Sequence, residues 1–173
     1  RLADGLLGIG LACARALAER GSDIAISGSH DLDGLQAKAA ELADEGCHVR
    51  VCPVLGTPHA AGWQVALRAG CEVVTMEQAG QVSPDLVIDA VLGIGGRPGI
   101  PDDLAGLGEQ LSSVSWLAVD LPSGLDANSG AVTTALRADV TVTFAVRKWC
   151  HVAPPAAERC GRVDVVDIGV EPG

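Results

Sequence analysis

Residues 116–127 read WLAVDLPSGLDA. Trp116-Leu117-Ala118-Val119 is a four-residue apolar run that reads as a buried strand, and it ends abruptly on Asp120-Leu121-Pro122-Ser123-Gly124. Pro122 and Gly124 cannot continue a central strand, so Asp120 and Ser123 are delivered to its carboxyl end. Ligands of open parallel α/β sheets bind at that edge. An unpaired buried carboxylate costs several kcal/mol, so Asp120 is expected to meet a cation, a donor cluster or a substrate proton. An Asx-type turn, with Asp120 capping backbone N–H groups, stays open as the plainer alternative.

A second strand ends in the same way. DLVIDAVL (85–92) carries Asp89 inside an apolar run and opens into Gly93-Ile94-Gly95-Gly96-Arg97-Pro98-Gly99. Glycine lets backbone N–H groups approach an anion with no Cβ in the way, and Arg97 adds a positive charge. Two strands with an acid near one edge and a glycine-rich loop between them predict a cleft for a polar, phosphate-bearing ligand.

Around these two stretches the chain alternates. Strands are expected at Asp23–Ser27, His48–Val54, Cys71–Met76, Asp139–Phe144 and Arg162–Ile168, and helices within 1–21, at Leu32–Glu45, Ala60–Ala69 and Asp103–Ser112. This alternation predicts an α/β fold, a three-layer, Rossmann-like, mainly parallel sheet covered on both faces. Only a Pro-containing loop, Arg147–Gly161, separates the last two strands, so one of them is expected to be an antiparallel edge strand. The 173 residues fit one domain spanning 1–173. Within it 1–53 is atypical, because of a strand before the Gly-rich entry Gly8-Ile9-Gly10 only Arg1-Leu2 could remain, so the first strand is expected to be missing or shortened.

Composition excludes several classes. A net charge of −10 leaves no basic face for nucleic acid. No apolar run reaches the length of a membrane helix, and no export signal is visible; the cysteines, read as reduced, imply a reducing compartment, most simply the cytoplasm. Cys13, Cys47, Cys52, Cys71, Cys150 and Cys160 form no CxxC pair and read as buried reduced thiols. His30, His48, His59 and His151 have no metal-ligand spacing and read as surface or loop residues.

DLVIDAVLGIGGRPG, then AVDLPSGLDANSG and ADVTVTF, resembles the NAD(P)H-hydrate epimerase family, the YjeF N-terminal domain, from about Val54 to Val170. The long, ordered DLPSGLDANSG block makes the signal specific. The resemblance implies an isomerase that interconverts the R and S forms of NADH or NADPH hydrated at C6 of the reduced ring. It implies Asp120 as catalytic acid/base and substrate contact, Gly93, Ile94, Gly95, Gly96, Arg97, Pro98 and Gly99 as the substrate-binding loop, and Asp89 and Ser123 as ligands of a potassium ion. For Asp89 the alternative is a hydrogen-bonded strand-end acid, and for Asp126 a turn residue. Lys148 matches a lysine that often follows this strand in the family, although a solvated lysine beside Arg147 is the commoner explanation. Trp63 and Trp149 are read as core or rim residues.

The partners implied are the hydrated dinucleotide, a hydrate dehydratase fused or separate, and a homodimer; nucleic acid and membrane are not among them. The family's Asn-Asn-Gly-Gly-Asp-Gly turn is replaced at 5–10 by Gly-Leu-Leu-Gly-Ile-Gly, which predicts weakened activity. A nucleotide-binding or scaffold domain of the same fold is the alternative. The opening GIGLACARALAERGSDIAISG also resembles a short-chain dehydrogenase. The Tyr–Lys chemistry of that family is excluded, because the chain contains no tyrosine.

Overall fold

Strand and helix starts follow local chemistry in the computed structural model, which describes residues 24–26, 49–51, 64, 67–68, 70–84, 86–93 and 96–169. The expected helices within 1–21 and at Leu32–Glu45, the Gly8–Gly10 entry, the replaced turn at 5–10, Ile94 and Gly95 lie outside the described residues. Two compact units are formed, residues 1–79 and 80–173.

In the first unit β1 (Ile24–Ile26), β2 (Val49–Val51) and β3 (Glu72–Val73) run parallel in the order β1-β2-β3. β3 is followed by α1 (Met76–Gly80), whose start is a capping box. Thr75 Oγ1 accepts the Gln78 N–H at 3.2 Å, and Gln78 Oε1 accepts the Thr75 N–H at 2.8 Å. Two helix-end donors are thereby satisfied reciprocally.

The second unit carries β4 (Leu86–Asp89), α2 (Asp102–Gln110), β5 (Ser115–Val119), β6 (Val140–Phe144) and β7 (Arg162–Val166). The sheet order is β4-β5-β6-β7 with every neighbour parallel. The expected α/β architecture with a parallel sheet is therefore present. Among the described residues the antiparallel edge strand is not. β7 pairs with β6 in parallel, from Val140 opposite Arg162 to Phe144 opposite Val166. A parallel return needs a crossover of roughly a dozen residues, and the segment from Ala145 to Gly161 exceeds it. Two 3₁₀ turns, Trp149–His151 and Ala156–Arg159, take the place of a crossover helix.

α2 begins after Pro101 with Asp102 and Asp103 in its first turn, where carboxylates complement the helix dipole, and it buries Leu104. On β5, Trp116, Ala118 and Val119 are buried. Trp116 Nε1 donates to the Leu111 carbonyl at 2.9 Å, so its one polar atom is satisfied inside the core. The long β5–β6 and β6–β7 connections close on each other over Leu121, Leu125, Ala127, Cys150, Ala156 and Cys160. Main-chain bonds from Cys150 to Ala127 and from Ala156 to Gly130 fix that contact.

Cys150 and Cys160 are buried free thiols and Cys71 is a buried cysteine, in keeping with the expectation from the sequence; the other three cysteines lie outside the described residues. A hydrogen bond with Cys150 and burial push the Cys160 thiol up, and the residue is fully buried in this core cluster. Among the described residues no helix is long and apolar enough to cross a membrane.

Candidate active site

Parallel pairing puts the carboxyl ends of β4, β5 and β6 on one edge, and the acids at the first two meet the loops that follow. Asp120 directly follows β5 and is 1% exposed. Its N–H donates to the Val142 carbonyl at 2.7 Å, so the β5–β6 ladder runs one residue past the strand. Its φ is +74°, in the left-handed region that non-glycine residues seldom occupy. Such backbone strain persists where the surroundings over-determine it, and it gathers at functional sites.

The surroundings here are polar and directed. Asp120 Oδ1 accepts a hydrogen bond from Thr143 Oγ1 at 3.0 Å and an ion-paired one from Lys148 Nζ. Lys148 Nζ also donates to Thr143 Oγ1 at 2.7 Å and to the Phe144 carbonyl at 3.3 Å. The Lys148 side chain is 11% exposed, so the solvated lysine expected from the RKW context is corrected. The reason is tertiary: the 3₁₀ turn at Trp149–His151 folds the chain back over the sheet edge and points Lys148 at the acid. The plain Asx-cap alternative for Asp120 loses to this cluster.

Asp89 ends β4 and is 3% exposed. Its Oδ2 accepts the Ser123 N–H at 2.7 Å, and its Oδ1 accepts the Ser123 hydroxyl at 2.5 Å and the Val91 N–H at 3.4 Å. Burial pushes its carboxyl above the usual carboxylate range, and the hydrogen bonds from Ser123 and Val91 oppose that rise. Ser123 Oγ accepts the Leu92 N–H at 2.9 Å and lies 3.5 Å from the Leu92 carbonyl oxygen. A carboxylate, a hydroxyl and a main-chain carbonyl therefore converge at the β4 end. This all-oxygen donor set fits a hard monovalent cation, which would also offset the burial of the Asp89 charge.

The glycine loop lies against Asp120. A Cβ built on Gly93 would sit 3.6 Å from Asp120 Oδ2. Gly96 N–H donates to the Gly93 carbonyl at 3.0 Å and Gly99 N–H to the Gly124 carbonyl at 2.9 Å, so the loop is tied to the DLPSG turn. Arg97 and Pro98 are exposed on it. Ile94 and Gly95 were read as substrate contacts from the sequence and fall outside the described residues. Asp126 is a turn residue: its Oδ1 accepts the Asn128 N–H at 3.0 Å.

The structure adds two residues that the sequence reading left out or misplaced. Thr143 is fully buried and bonds both Asp120 and Lys148. His151 is 5% exposed, not a surface residue. Its Nδ1 accepts the Lys148 N–H at 3.0 Å, and its Nε2 has no hydrogen-bond partner among the described residues. Trp149 is 61% exposed and so packs in no core, while Trp63 lies outside the described residues. A cleft of about 340 Å³ lined by Trp116, Leu136, Arg137 and Arg159 lies at the opposite, amino end of the strands, away from Asp120.

The family model described as YjeF-related protein N-terminus matches residues 7–150. The chain belongs to the YjeF N-terminal family. The match begins well before Val54, where the likeness in the sequence becomes continuous, so most of the atypical opening falls inside it. An NAD(P)H-hydrate epimerase of Clavibacter michiganensis is 35% identical over 95% of this chain and 79% of its own length. A protein of the same name from Microbacterium testaceum is 36% identical over 94% of this chain and 67% of its own. A bifunctional NAD(P)H-hydrate repair enzyme, Nnr, of Mycobacterium tuberculosis is 44% identical over 50% of this chain and 18% of its own length. Among solved structures, a yeast protein (ynu0, YNL200c) superposes with a TM-score of 0.59 at 18% identity, over 96% of this chain and 78% of that one. That likeness supports the fold alone.

Proposed function

We propose that this member of the YjeF N-terminal family is an NAD(P)H-hydrate epimerase, an isomerase acting on C6-hydrated NADH or NADPH. The observation that carries the reading is Asp120, a strained, buried acid held by Lys148 and Thr143 and facing the glycine loop. Epimerisation at C6 needs one group that gives a proton and takes it back. A proton passes from Asp120 to the hydroxyl oxygen as the C6–O bond breaks and water leaves, and the ring nitrogen lone pair stabilises the resulting cation. Water then adds to either face and returns its proton to Asp120. No electron is gained or lost. Gly93, Gly96, Arg97, Pro98 and Gly99 would hold the phosphate-bearing part of the substrate, together with Ile94 and Gly95.

A potassium ion belongs to the same proposal. Asp89, Ser123 and the Leu92 carbonyl would hold it, where it would neutralise the buried carboxylate and stiffen the junction of the two loops. A cytoplasmic setting, a homodimer and a dehydratase partner are proposed with it; the buried thiols of Cys150 and Cys160 fit a reducing compartment.

Thermal melting tests both ligands in one series. A ligand bound only by the folded state adds about 2.7 kcal/mol at a concentration of 100 Kd, which is on the order of 5–10 °C for a chain of this size. NADPH hydrate should raise Tm on that scale. Potassium chloride should raise it more than tetramethylammonium chloride of equal ionic strength. Equal melting in the two salts removes the cation site, and no response to the hydrate counts against the substrate.

A further inference from the structure

We propose that His151 is a positioning residue: by accepting the backbone N–H of Lys148 at its Nδ1, it sets the Lys148 ammonium on Asp120. This deepens the reading of Asp120 as the acid/base and rests on it. When Asp120 gives its proton to the departing hydroxyl, it becomes a carboxylate inside the protein. The ammonium beside Oδ1 stabilises that charge as it forms. The same Nζ donates to Thr143 Oγ1 at 2.7 Å and to the Phe144 carbonyl at 3.3 Å, which defines its place at the β6 end. What remains to be fixed is the backbone that carries it.

A lysine head rides on a flexible four-carbon stem, so it is placed only as well as its own Cα. Packing does little for Lys148. Val146, Arg147 and Trp149 around it are exposed, and Lys148 itself stands in extended backbone beyond the end of β6. Its N–H goes to His151 Nδ1 at 3.0 Å, and the His151 N–H returns to the Lys148 carbonyl at 3.1 Å. The first of these is the second half of a capping box, with a histidine in the place usually held by glutamate or glutamine. A part-buried N–H deprived of this acceptor would have to find another, and the turn would shift with it.

His151 can serve as the anchor because it is held in turn. Its side chain is buried, and Cys150 beside it is fully buried, with its N–H donating to the Ala127 carbonyl at 3.3 Å. The 3₁₀ turn is thus a bracket, tied on one side to the segment that follows Asp120 and on the other to the residue that carries the ammonium. The ammonium bonds to groups of the chain and acts through Asp120. A displacement of it by about 1 Å therefore costs rate rather than affinity.

The test is steady-state conversion of the R hydrate of NADPH, coupled to a dehydratase that accepts only the S form, with the full chain and its His151→Asn and His151→Gln variants. The amide oxygen of asparagine can stand where Nδ1 stands, whereas that of glutamine reaches only the place of Nε2. His151→Asn should keep kcat within about threefold of wild type, and His151→Gln should lower it about 10–100-fold with KM within about threefold. In isotope-labelled wild type, the Lys148 amide nitrogen should show a scalar coupling across the hydrogen bond to His151 Nδ1, and its absence would remove the anchor. Equal kcat in the two variants, or a raised KM at unchanged kcat, overturns the proposal. So does loss of the fold in His151→Asn, which would make His151 a packing residue. If His151→Gln does not fold, His151→Leu takes its place as the variant without an acceptor, and the coupling decides if neither folds. A wild-type chain at the uncatalysed rate sinks the epimerase reading itself, whereas an active wild type matched by both variants sinks only the positioning role.

Discussion

Asp120→Asn is expected to lower epimerisation by about 10²–10⁴-fold, the usual worth of a general acid/base. The substitution keeps the shape of the side chain. An asparagine oxygen in the place of Oδ1 can still accept from Thr143 Oγ1 and Lys148 Nζ, so the fold and the loop around it should survive. What it removes is the ability to give a proton to the C6 hydroxyl and take it back. The loss should therefore fall on kcat, with KM changed no more than about threefold. A variant whose rate stays close to that of an active wild type would show that the proton moves through another group. Circular dichroism of the same sample separates lost chemistry from lost structure.

Gly124→Ala is expected to destabilise the chain by about 3–5 kcal/mol, as the combined cost of left-handed backbone strain and overpacking. Gly124 has a φ of +95°, and a Cβ on it would lie 2.4 Å from the Thr134 carbonyl oxygen and 2.9 Å from the Ala135 Cα. Both obstacles are backbone and have little room to give. The Gly124 carbonyl also receives the Gly99 N–H, so a shift at the turn would pull on the glycine loop beside Asp120. In urea the unfolding midpoint should fall by roughly 1–3 M at an unchanged slope. A midpoint within about 0.3 M of wild type would mean that the DLPSG turn tolerates a side chain and is not packed as described.

The readable parts of the chain were those in which local chemistry decides. DLVID and WLAVD announce strands because each apolar run is cut short by an acid and then by glycine or proline, and both strands are present, side by side. The pairing of Asp89 with Ser123 follows from that same adjacency. TMEQ at 75–78 carried the capping-box signature of α1, which the expected strand Cys71–Met76 overran. Strand direction was different. RVDVV reads as a strand whichever way it runs, and only the length and course of the Ala145–Gly161 segment decide that β7 is parallel. Thr143 was hidden because a threonine in a strand needs no further reason than its β-branching. Lys148 was marked by the family resemblance alone, and its burial and that of His151 were hidden because nothing in VRKWCHV shows that a 3₁₀ turn carries them inward. Burial of a polar group by a distant turn is a tertiary fact, and here it supplies half of the acid/base cluster.

The central claim is that this chain moves the hydroxyl at C6 between the two faces of the ring. Pure R hydrate of NADPH, incubated with a dehydratase that accepts only the S form, is consumed no faster than its spontaneous epimerisation. Addition of the chain should make the consumption run to completion at a rate proportional to the amount of chain added. Consumption that stays at the spontaneous rate at every concentration of folded chain would contradict the account and leave a nucleotide-binding scaffold in its place.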